Sequence, residues 1–243
     1  MRLDKFLADM GAGTRSQIKE AVRRGRVTVN GSPVSKADVK VSDTDVILFD
    51  GRQVTYTAME YYMLYKPAGV LSASRDRKAP TVLDLITDKK RKDLFPVGRL
   101  DKDTEGLLLI SNDGELAHRL LSPKHHVSKV YFARVDGMIT EEMRKKFAEG
   151  ITIDEEFQAL PAEMKILRAN ESESEAELTI YEGKFHQVKR MFESVGLTVT
   201  YLKRLSMGSL LLDETLGKGG FRPLSEKELE CLRNDAFDTA EET

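Results

Sequence analysis

Asp101 is the side chain of this sequence best placed to do chemistry, because of the run in which it lies. It is the fourth residue of GRLDKDTEG, which spans residues 98–106, and the apolar residues 107–110 follow directly. A continuous apolar run predicts a buried strand, and the Asn-Asp-Gly sequence at 112–114 is typical of a turn. A carboxylate in a loop anchored to such a strand can be held in fixed geometry. The residue types alone leave two interpretations open, a reactive carboxylate and an ordinary loop Asp.

A second stretch with reactive groups is GKFHQVKRMF, at residues 183–192. Apolar residues in and just after this stretch recur at the i, i+3, i+4 and i+7 positions of one helix face, and they are Val188, Met191, Phe192 and Val195. His186, Lys189, Arg190 and Glu193 share a second face. Cations near the start of a helix oppose its dipole, so a partner carboxylate is expected nearby. Asp101 is the candidate for that partner.

Residues 129–135, KVYFARV, alternate in polarity and predict a strand that carries Tyr131. Two adjacent histidines, His125 and His126, precede this strand. No Cys or acidic residue stands near them at the spacing of a zinc site, so we expect no bound metal.

The charge of the chain is unevenly distributed. The net charge of −2 disfavours nucleic-acid binding if it is taken alone, but residues 1–42 contain nine Lys and Arg against four Asp and Glu, about +5. Residues 234–243 contain four acidic residues and no basic one. Four cations of the N-terminal segment recur at helical spacing and can meet several phosphates together: Arg15, Lys19, Arg23 and Arg26. The alternative is a basic helical hairpin with a solvated face.

Composition narrows the class of protein. A chain of 243 residues with 40% hydrophobic content can hold one large domain and a small one. The single cysteine, Cys231, cannot form an intramolecular disulfide, which favours a reducing compartment. The sequence shows neither an apolar stretch that could span a membrane nor the apolar core of a signal peptide. We therefore expect a cytoplasmic protein.

Local patterns predict the elements that position these residues. Helical spacing indicates a helix at residues 3–10, and Thr14 is placed to cap a second one at 15–24. A short strand at 27–29 turns at Asn30-Gly31, and valines at 34, 39 and 41 and the run 46–49 indicate further short strands. The polar residues 50–60 predict a linker. The acidic stretch 171–177 is expected to be a solvated hairpin loop.

Several motifs resemble those of a known family. The run at 98–109 fills each fixed position of GRLDxxTxGLLL, the active-site loop of the pseudouridine synthases in the branch of ribosomal small-subunit pseudouridine synthase A. The further matches are KPxG at 66–69, KxY at 129–131, HQVKRM at 186–191 and GGFRPLSxxE at 219–228. RLDKFL at 2–7 and RGRVTVNG at 24–31 resemble the S4 domain, a small RNA-binding module.

The resemblance implies isomerisation of uridine to pseudouridine in ribosomal RNA, with neither a cofactor nor a metal. It makes Asp101 the catalytic carboxylate and Lys189 its cationic partner, with Arg190 as the second choice. Tyr131 would stack on the extruded base. Arg99 would fill the gap left by the flipped base or hold a phosphate.

Two questions stay open at this point. Relatives that act on the large subunit tend to carry NRxVRR where this chain has FHQVKR at 185–190, which favours 16S over 23S rRNA. Lys66, in the KPxG motif, would either help to shape the wall of the cleft or be a solvated lysine in a turn. A non-catalytic, RNA-binding assembly protein is the alternative from another functional class.

We thus predict an α+β protein that acts as a monomer on ribosomal RNA, for example in an assembling small subunit. An S4-like RNA-binding domain and linker would occupy residues 1–58. A catalytic domain with a mixed, mostly antiparallel sheet would occupy residues 59–233, and an acidic tail residues 234–243.

Overall fold

The computed structural model describes residues 1–154 and 157–237, and these residues form two compact units. The N-terminal unit comprises Met1–Glu60 and Thr87–Leu94, and the second unit comprises Tyr61–Ile86 together with the described residues from Phe95 onward. The last helix runs to Phe237 and so includes the first four residues of the predicted acidic tail. The rest of that tail lies outside the described residues. No helix in the described ranges is long and apolar enough to cross a membrane.

The N-terminal unit packs two helices on a small antiparallel sheet. Its elements are α1 (Leu3–Asp9), α2 (Arg15–Arg23), β1 (Val27–Val29), β2 (Ser32–Pro33), β3 (Ile47–Phe49) and β4 (Arg52–Gln53), with the strands in the order β2-β1-β3-β4. Thr14 caps α2 as predicted, because its hydroxyl accepts the N–H of Gln17 while the Gln17 side chain accepts the N–H of Thr14. One core unites the apolar faces of these elements, and it includes Leu3, Phe6, Leu7, Ile18, Val22 and Val27.

The turn between β1 and β2 is the one that its sequence predicts. Asn30 and Gly31 have φ values of 51° and 80°, the left-handed conformations that a two-residue hairpin turn of this kind requires. The further strands expected at residues 34–41 are wrong. Val34 and Val39 lie in a loop and pack against the core, so their apolar side chains are partly buried without strand pairing. The β-pairing in this stretch is a single bridge between Lys40 and Arg2.

Thr87–Leu94 joins the N-terminal unit from a distant part of the sequence. The buried Arg91 guanidinium lies 3.5 Å from the Asp9 carboxylate and donates to the Thr57 carbonyl oxygen at 3.0 Å. The carboxylate of Glu60 accepts the N–H of Arg91 at 2.7 Å. Ion pairs and buried hydrogen bonds, rather than a regular element, therefore attach this segment.

The second unit is built on a nine-stranded sheet. Its strands are β5 (Tyr61–Lys66), β6 (Phe95–Pro96), β7 (Glu105–Ser111), β8 (Lys129–Asp136), β11 (Glu163–Ala169), β12 (Glu173–Ile180), β13 (Val199–Met207), β14 (Leu210–Leu211) and β15 (Phe221–Pro223). Strands β9 (Thr152–Asp154) and β10 (Phe157–Gln158) form a separate antiparallel pair. The main order is β11-β12-β8-β13-β7-β5-β15, with β6 paired to β7 and β14 to β13. The pair β7–β13 is parallel and the other described strand pairs are antiparallel. The predicted α+β class with a mixed, mostly antiparallel sheet is confirmed.

In the described part of this unit four helices accompany the sheet, namely α3 (Gly114–Leu121), α4 (Glu141–Glu149), α5 (Gln187–Glu193) and α6 (Glu226–Phe237). Leu107 and Leu109 of β7 share a core with Leu116 and Leu120 of α3 and with Leu232 of α6. Every residue of β7 is buried, as the apolar run at 107–110 predicted. The strand after Asp101 is therefore fixed by packing.

Gly106 allows β7 and β13 to approach each other. Its φ is 102°, and Arg204 of β13 is its partner in the parallel pair. A Cβ atom at this position would lie 2.2 Å from the carbonyl oxygen of Arg204. Because a backbone atom occupies that space, glycine is the residue that the strand pair requires here.

The hairpin loop predicted at residues 171–177 is shorter than expected, because it comprises only residues 170–172 between β11 and β12. Strand β12 begins at Glu173, and its outward glutamates alternate with buried Ser174, Ala176 and Leu178. The glutamates form ion pairs across the sheet, for example Glu175 with Arg134 at 3.0 Å. The acidic residues are one face of a strand, and their charge concealed the period-two pattern.

Candidate active site

The second unit contains a cavity of about 730 Å³. Its walls come from residues 71–73, the loop 98–102, strands β8 and β13, and the residues 183–188 that lead into α5. Three of the predicted site residues line it, namely Asp101, Tyr131 and Arg99. The fold thus brings together segments that are far apart in the sequence.

The backbone around Asp101 is fixed by hydrogen bonds on both sides of this residue. The hydroxyl of Ser72 donates to the carbonyl oxygen of Leu100 at 2.7 Å and accepts the Leu100 N–H at 3.1 Å. The N–H of Thr104 donates to the Asp101 carbonyl oxygen at 3.1 Å. The Asp101 side chain keeps 25% of its surface exposed. The loop is therefore held while its carboxylate stays accessible from the cavity.

Lys66 is the main anchor of this loop, and its side chain is fully buried. Its ammonium donates to the carbonyl oxygens of Thr104 at 2.8 Å, Pro67 and Asp101 at 3.0 Å, and Lys102 at 3.3 Å. Burial lowers the pKa of Lys66 to about 8, against the attraction of the neighbouring carboxylates. The alternative of a solvated lysine is wrong: Lys66 ties the turn together from inside.

Lys189 connects α5 to the same loop. Its Nζ atom lies 3.4 Å from Oδ2 of Asp101 and 2.7 Å from Oδ1 of Asp103. Nε2 of His186 lies 3.5 Å from Oδ1 of Asp101. The hydrogen bond from Lys189 holds the pKa of Asp103 below its usual value. The Asp101 carboxylate therefore has a basic side chain near each of its oxygens, and Lys189 is shared between two carboxylates.

Two members of this cluster were not predicted. Asp103 has a simple sequence signal, since it lies two residues after Asp101 in the same turn. His186 was assigned to the face that carries Lys189, but no partner was proposed for it.

Arg190, the second choice as the partner of Asp101, donates to the carbonyl oxygen of Phe185 at 3.4 Å. Within residues 1–154 and 157–237 no group of three or more His, Cys, Asp or Glu side chains could hold a metal.

Tyr131 lies on the wall of the cavity beside an arginine that the sequence did not single out. Tyr131 of β8 and Arg204 of β13 are cross-strand partners, and both are nine-tenths or more buried. Nε of Arg204 donates to the Leu107 carbonyl oxygen at 2.8 Å, whereas its buried Nη2 has no hydrogen-bond partner in the described part of the chain. A guanidinium N–H of this kind can donate to an acceptor on a bound group.

Lys129 is the second buried cation of this wall. Its Nζ atom donates to the carbonyl oxygens of Val127 at 2.7 Å and Leu120 at 3.3 Å. Burial, together with the nearby charge of Arg204, lowers the pKa of Lys129 to about 8. The wall beside Tyr131 is therefore electropositive, which suits a bound group with hydrogen-bond acceptors.

The predicted phosphate-binding residues lie in exposed positions. Arg15, Lys19 and Arg23 form one stripe along α2, because they recur at i, i+4 and i+8. Arg26 is also exposed, but it forms an ion pair with Asp50 and lies over the Phe49 ring. The first three residues thus form a cationic stripe on the N-terminal unit.

Two known family models match this chain, and one of them includes the residues of the candidate active site. The model that describes RNA pseudouridylate synthases matches residues 60–194, which include Asp101, Tyr131 and Lys189. The model of the S4 domain matches residues 1–47. The chain belongs to the RNA pseudouridylate synthase family, whose members isomerise uridines in RNA, and it begins with an S4 domain. The predicted family and enzyme class are confirmed.

Individual relatives match almost the whole chain. YtzG of Bacillus subtilis, described as an uncharacterised RNA pseudouridine synthase, is 45% identical over 96% of this chain and 98% of its own length. The ribosomal small subunit pseudouridine synthase A of Vibrio parahaemolyticus is 41% identical over 96% of this chain and 100% of its own. The ribosomal large subunit pseudouridine synthase B of Bacillus subtilis is 39% identical over 96% and 95%.

A solved structure supports the same assignment. A crystal structure of a pseudouridylate synthase is 38% identical in sequence and aligns with a TM-score of 0.67, over 96% of this chain and 99% of that one. The similarity therefore extends over both units.

Proposed function

We propose that this protein converts a uridine of 16S small-subunit rRNA to pseudouridine, with Asp101 as the catalytic carboxylate. The observation that carries the proposal is the geometry of Asp101, whose backbone is locked while its carboxylate lies 3.4 Å from Lys189 in a cavity that Tyr131 also lines. The small-subunit relatives and the FHQVKR sequence at 185–190 favour 16S rRNA. The large-subunit relative of similar identity makes 23S rRNA the second candidate.

The reaction breaks the N1–C1′ bond of uridine, turns the base and joins C5 to C1′. C5 loses a proton and N1 gains one, so no oxidant, reductant or co-substrate takes part. Asp101 would attack the sugar or the base, or remove a sugar proton, and each of these roles uses the ionised carboxylate. Lys189 would offset that charge and keep the carboxylate oriented.

Tyr131 would hold the base while it is detached. An extruded uracil loses its neighbours in the RNA stack, and an aromatic ring on the cavity wall can replace them. Tyr131 would also assist removal of the C5 proton late in the reaction. Arg99 is exposed at the cavity, where it would fill the space left by the flipped base or hold a phosphate.

The catalytic role of Asp101 is tested by Asp101→Asn, which keeps the shape of the side chain and removes its charge. The variant should fold and bind RNA but release no tritium from RNA labelled at C5 of uridine. Asp103→Asn is the matched comparison, because Asp103 lies in the same turn and also contacts Lys189, and it should retain turnover. Activity in the Asp101 variant together with its loss in the Asp103 variant would show that the two roles must be exchanged.

The role of Lys189 is tested by comparing Lys189→Met with Arg190→Met. Removing Lys189 leaves the Asp101 carboxylate without its cation, so turnover should fall much further than in the Arg190 variant. Equal losses in the two variants, or a larger loss in the Arg190 variant, would refute this choice of partner.

The N-terminal unit would bind the RNA backbone through Arg15, Lys19, Arg23 and Arg26. Each phosphate contact that is removed should lower the slope of log affinity against log salt by about one. Replacing Arg15, Lys19 and Arg23 together by Gln should weaken binding to structured rRNA and flatten this slope. A deletion of residues 1–58 is a poorer test, because it strips the segment Thr87–Leu94 of its partners. Unchanged affinity and slope in the triple variant would show that the cationic stripe is a solvated surface that does not contact RNA.

The choice between 16S and 23S rRNA requires a map of pseudouridines in cells with and without the protein. The proposal expects one 16S position to lose its modification when the gene is deleted and to regain it on complementation. Loss confined to 23S rRNA would select the second candidate. We propose further that the protein acts as a monomer in the cytoplasm, on rRNA or on assembling subunits.

A further inference from the structure

Phe185 is an exposed aromatic residue at the edge of the cavity. It is 69% exposed, and it lies between Lys184 and His186 in the loop that leads into α5. Its ring lies against the ring of His186, with centroids 3.8 Å apart and an angle of 17° between the planes. The two rings are therefore a stacked pair, with one face of Phe185 covered by His186.

The loop that carries this pair is held by buried polar groups. Oε1 of Glu182 accepts from Nε2 of Gln187 and from the N–H of Leu160, each at 2.9 Å. Oε1 of Gln187 accepts the N–H of Lys184 at 2.9 Å. Glu182 and Gln187 are both more than nine-tenths buried. The exposure of Phe185 is thus built into a fixed loop.

The surroundings of the ring are cationic and adjoin the reacting carboxylate. Lys184 precedes Phe185, and Arg190 donates to the Phe185 carbonyl oxygen. Lys102 lines the same cavity and is exposed. His186, which covers the other face of the ring, lies 3.5 Å from Asp101. Proteins that bind single-stranded nucleic acids combine exposed aromatic rings with cations. The rings stack on the bases and the cations attract the phosphates.

We propose that the Phe185–His186 pair is a stacking platform for an unpaired nucleobase next to the target uridine. This inference rests on the proposed function, because a flipped uridine at Asp101 brings its neighbouring nucleotides to the cavity edge. The exposed face of Phe185 receives the base, and His186 supports the ring from behind. A phosphate alone would not stack on the ring, and the neighbouring cations would repel a basic protein partner.

The test separates stacking from charge. Affinities are measured in the Asp101→Asn background, where no turnover occurs, for a labelled oligouridylate dodecamer and for an abasic dodecamer with the same phosphates. Phe185→Ala should weaken binding of the oligouridylate by about 5- to 150-fold, the range measured for loss of one base–aromatic stack. Binding of the abasic strand should change by less than about twofold.

Three further variants control for folding and for simple loss of apolar surface. Phe185→Tyr keeps the ring and should bind within about twofold of the parent, whereas Phe185→Leu should lose affinity like Phe185→Ala. Leu211→Ala is the matched control, because Leu211 is 68% exposed and lies outside the cavity; its affinity should not change. Because Phe185 is exposed, each variant should keep the parental melting temperature.

Several outcomes overturn the platform. They are parental affinity of Phe185→Ala for oligouridylate, an equal loss on the abasic strand, full affinity of Phe185→Leu, and no measurable preference of the parent for the base-bearing strand. Loss of self-association or of binding to a protein, with RNA affinity intact, would assign the ring to a protein contact instead. Failure of the proposed function is a separate result, namely turnover by Asp101→Asn.

Discussion

Gly106→Ala is expected to damage the second unit severely, although it adds a single methyl group. A residue with a side chain at φ of 102° is strained by about 1–3 kcal/mol. The added Cβ would lie 2.2 Å from the Arg204 carbonyl oxygen and 2.7 Å from its nitrogen, so the parallel strands must separate by roughly 1 Å. Two or three hydrogen bonds of the pair would weaken, at about 1 kcal/mol each. We expect the free energy of unfolding to fall by about 3–6 kcal/mol.

Urea unfolding and thermal melting measure this loss directly. For a unit of this size about 4 kcal/mol corresponds to a decrease in melting temperature of roughly 8–16 °C. Gly114→Ala is the control, because nothing lies within 4 Å of a Cβ at this first residue of α3. That variant should be as stable as the parent or slightly more stable. A Gly106→Ala protein within about 1 kcal/mol of the parent would refute the close-approach argument.

Three further predictions concern buried or paired charges. Lys66→Met removes the donor to four loop carbonyls, and it should cost about 2–4 kcal/mol in urea unfolding and most of the turnover; a stable, active variant would contradict the anchoring role. Burial lowers the pKa of Lys129 from 10.5 to about 8, so the unfolded chain holds a proton that the folded chain lacks between these values, and stability should rise with pH through this window. Lys129→Met should lower that slope, and an unchanged slope would contradict the shift. The hydrogen bonds from Arg222 hold the pKa of Glu228 at about 2, below its ordinary 4.5, so its stabilisation is complete above pH 4.5 and lost as pH falls toward 2. Glu228→Gln should flatten the acid-unfolding curve over that range, and an identical curve would exclude this contribution.

The parts of the fold that local sequence determines were predicted well. Thr14 caps α2, Asn30-Gly31 turns the first hairpin, and the apolar run at 107–110 lies in the buried strand β7. Each of these signals lies within a few residues of the structure that it specifies. The pairing of Lys189 with Asp101 was predicted from a helix face and a motif together. In the structure Nζ of Lys189 lies 3.4 Å from Oδ2 of Asp101.

What the sequence did not show depends on residues that meet only in three dimensions. A lysine at the end of a strand gives no local sign that four carbonyl groups converge on it, so the burial of Lys66 was not predictable from pattern. Nor does the stretch at 87–94 carry a pattern that predicts its ion pair with Asp9. Arg204 did have a signal, because it lies on the same face of β13 as buried Leu202 and Ser206, but an arginine is ordinarily assigned to the solvent face.

The long sequence separation of the contacts around Asp101 determines when the site can assemble during translation. Asp103, in the Asp101 turn, contacts Lys189 across 86 positions of sequence, and Arg204 bonds to Leu107 across 97. Synthesis releases the N-terminal residues first, and contacts of long sequence separation form late. A nascent chain therefore displays its carboxylate well before the opposing cation and the cavity wall exist. Premature termination between Asp101 and α5 yields a fragment with Asp101 but without the surroundings that we propose make it reactive. The catalytic competence that we propose would therefore arise only after α5 and β13 have been synthesised.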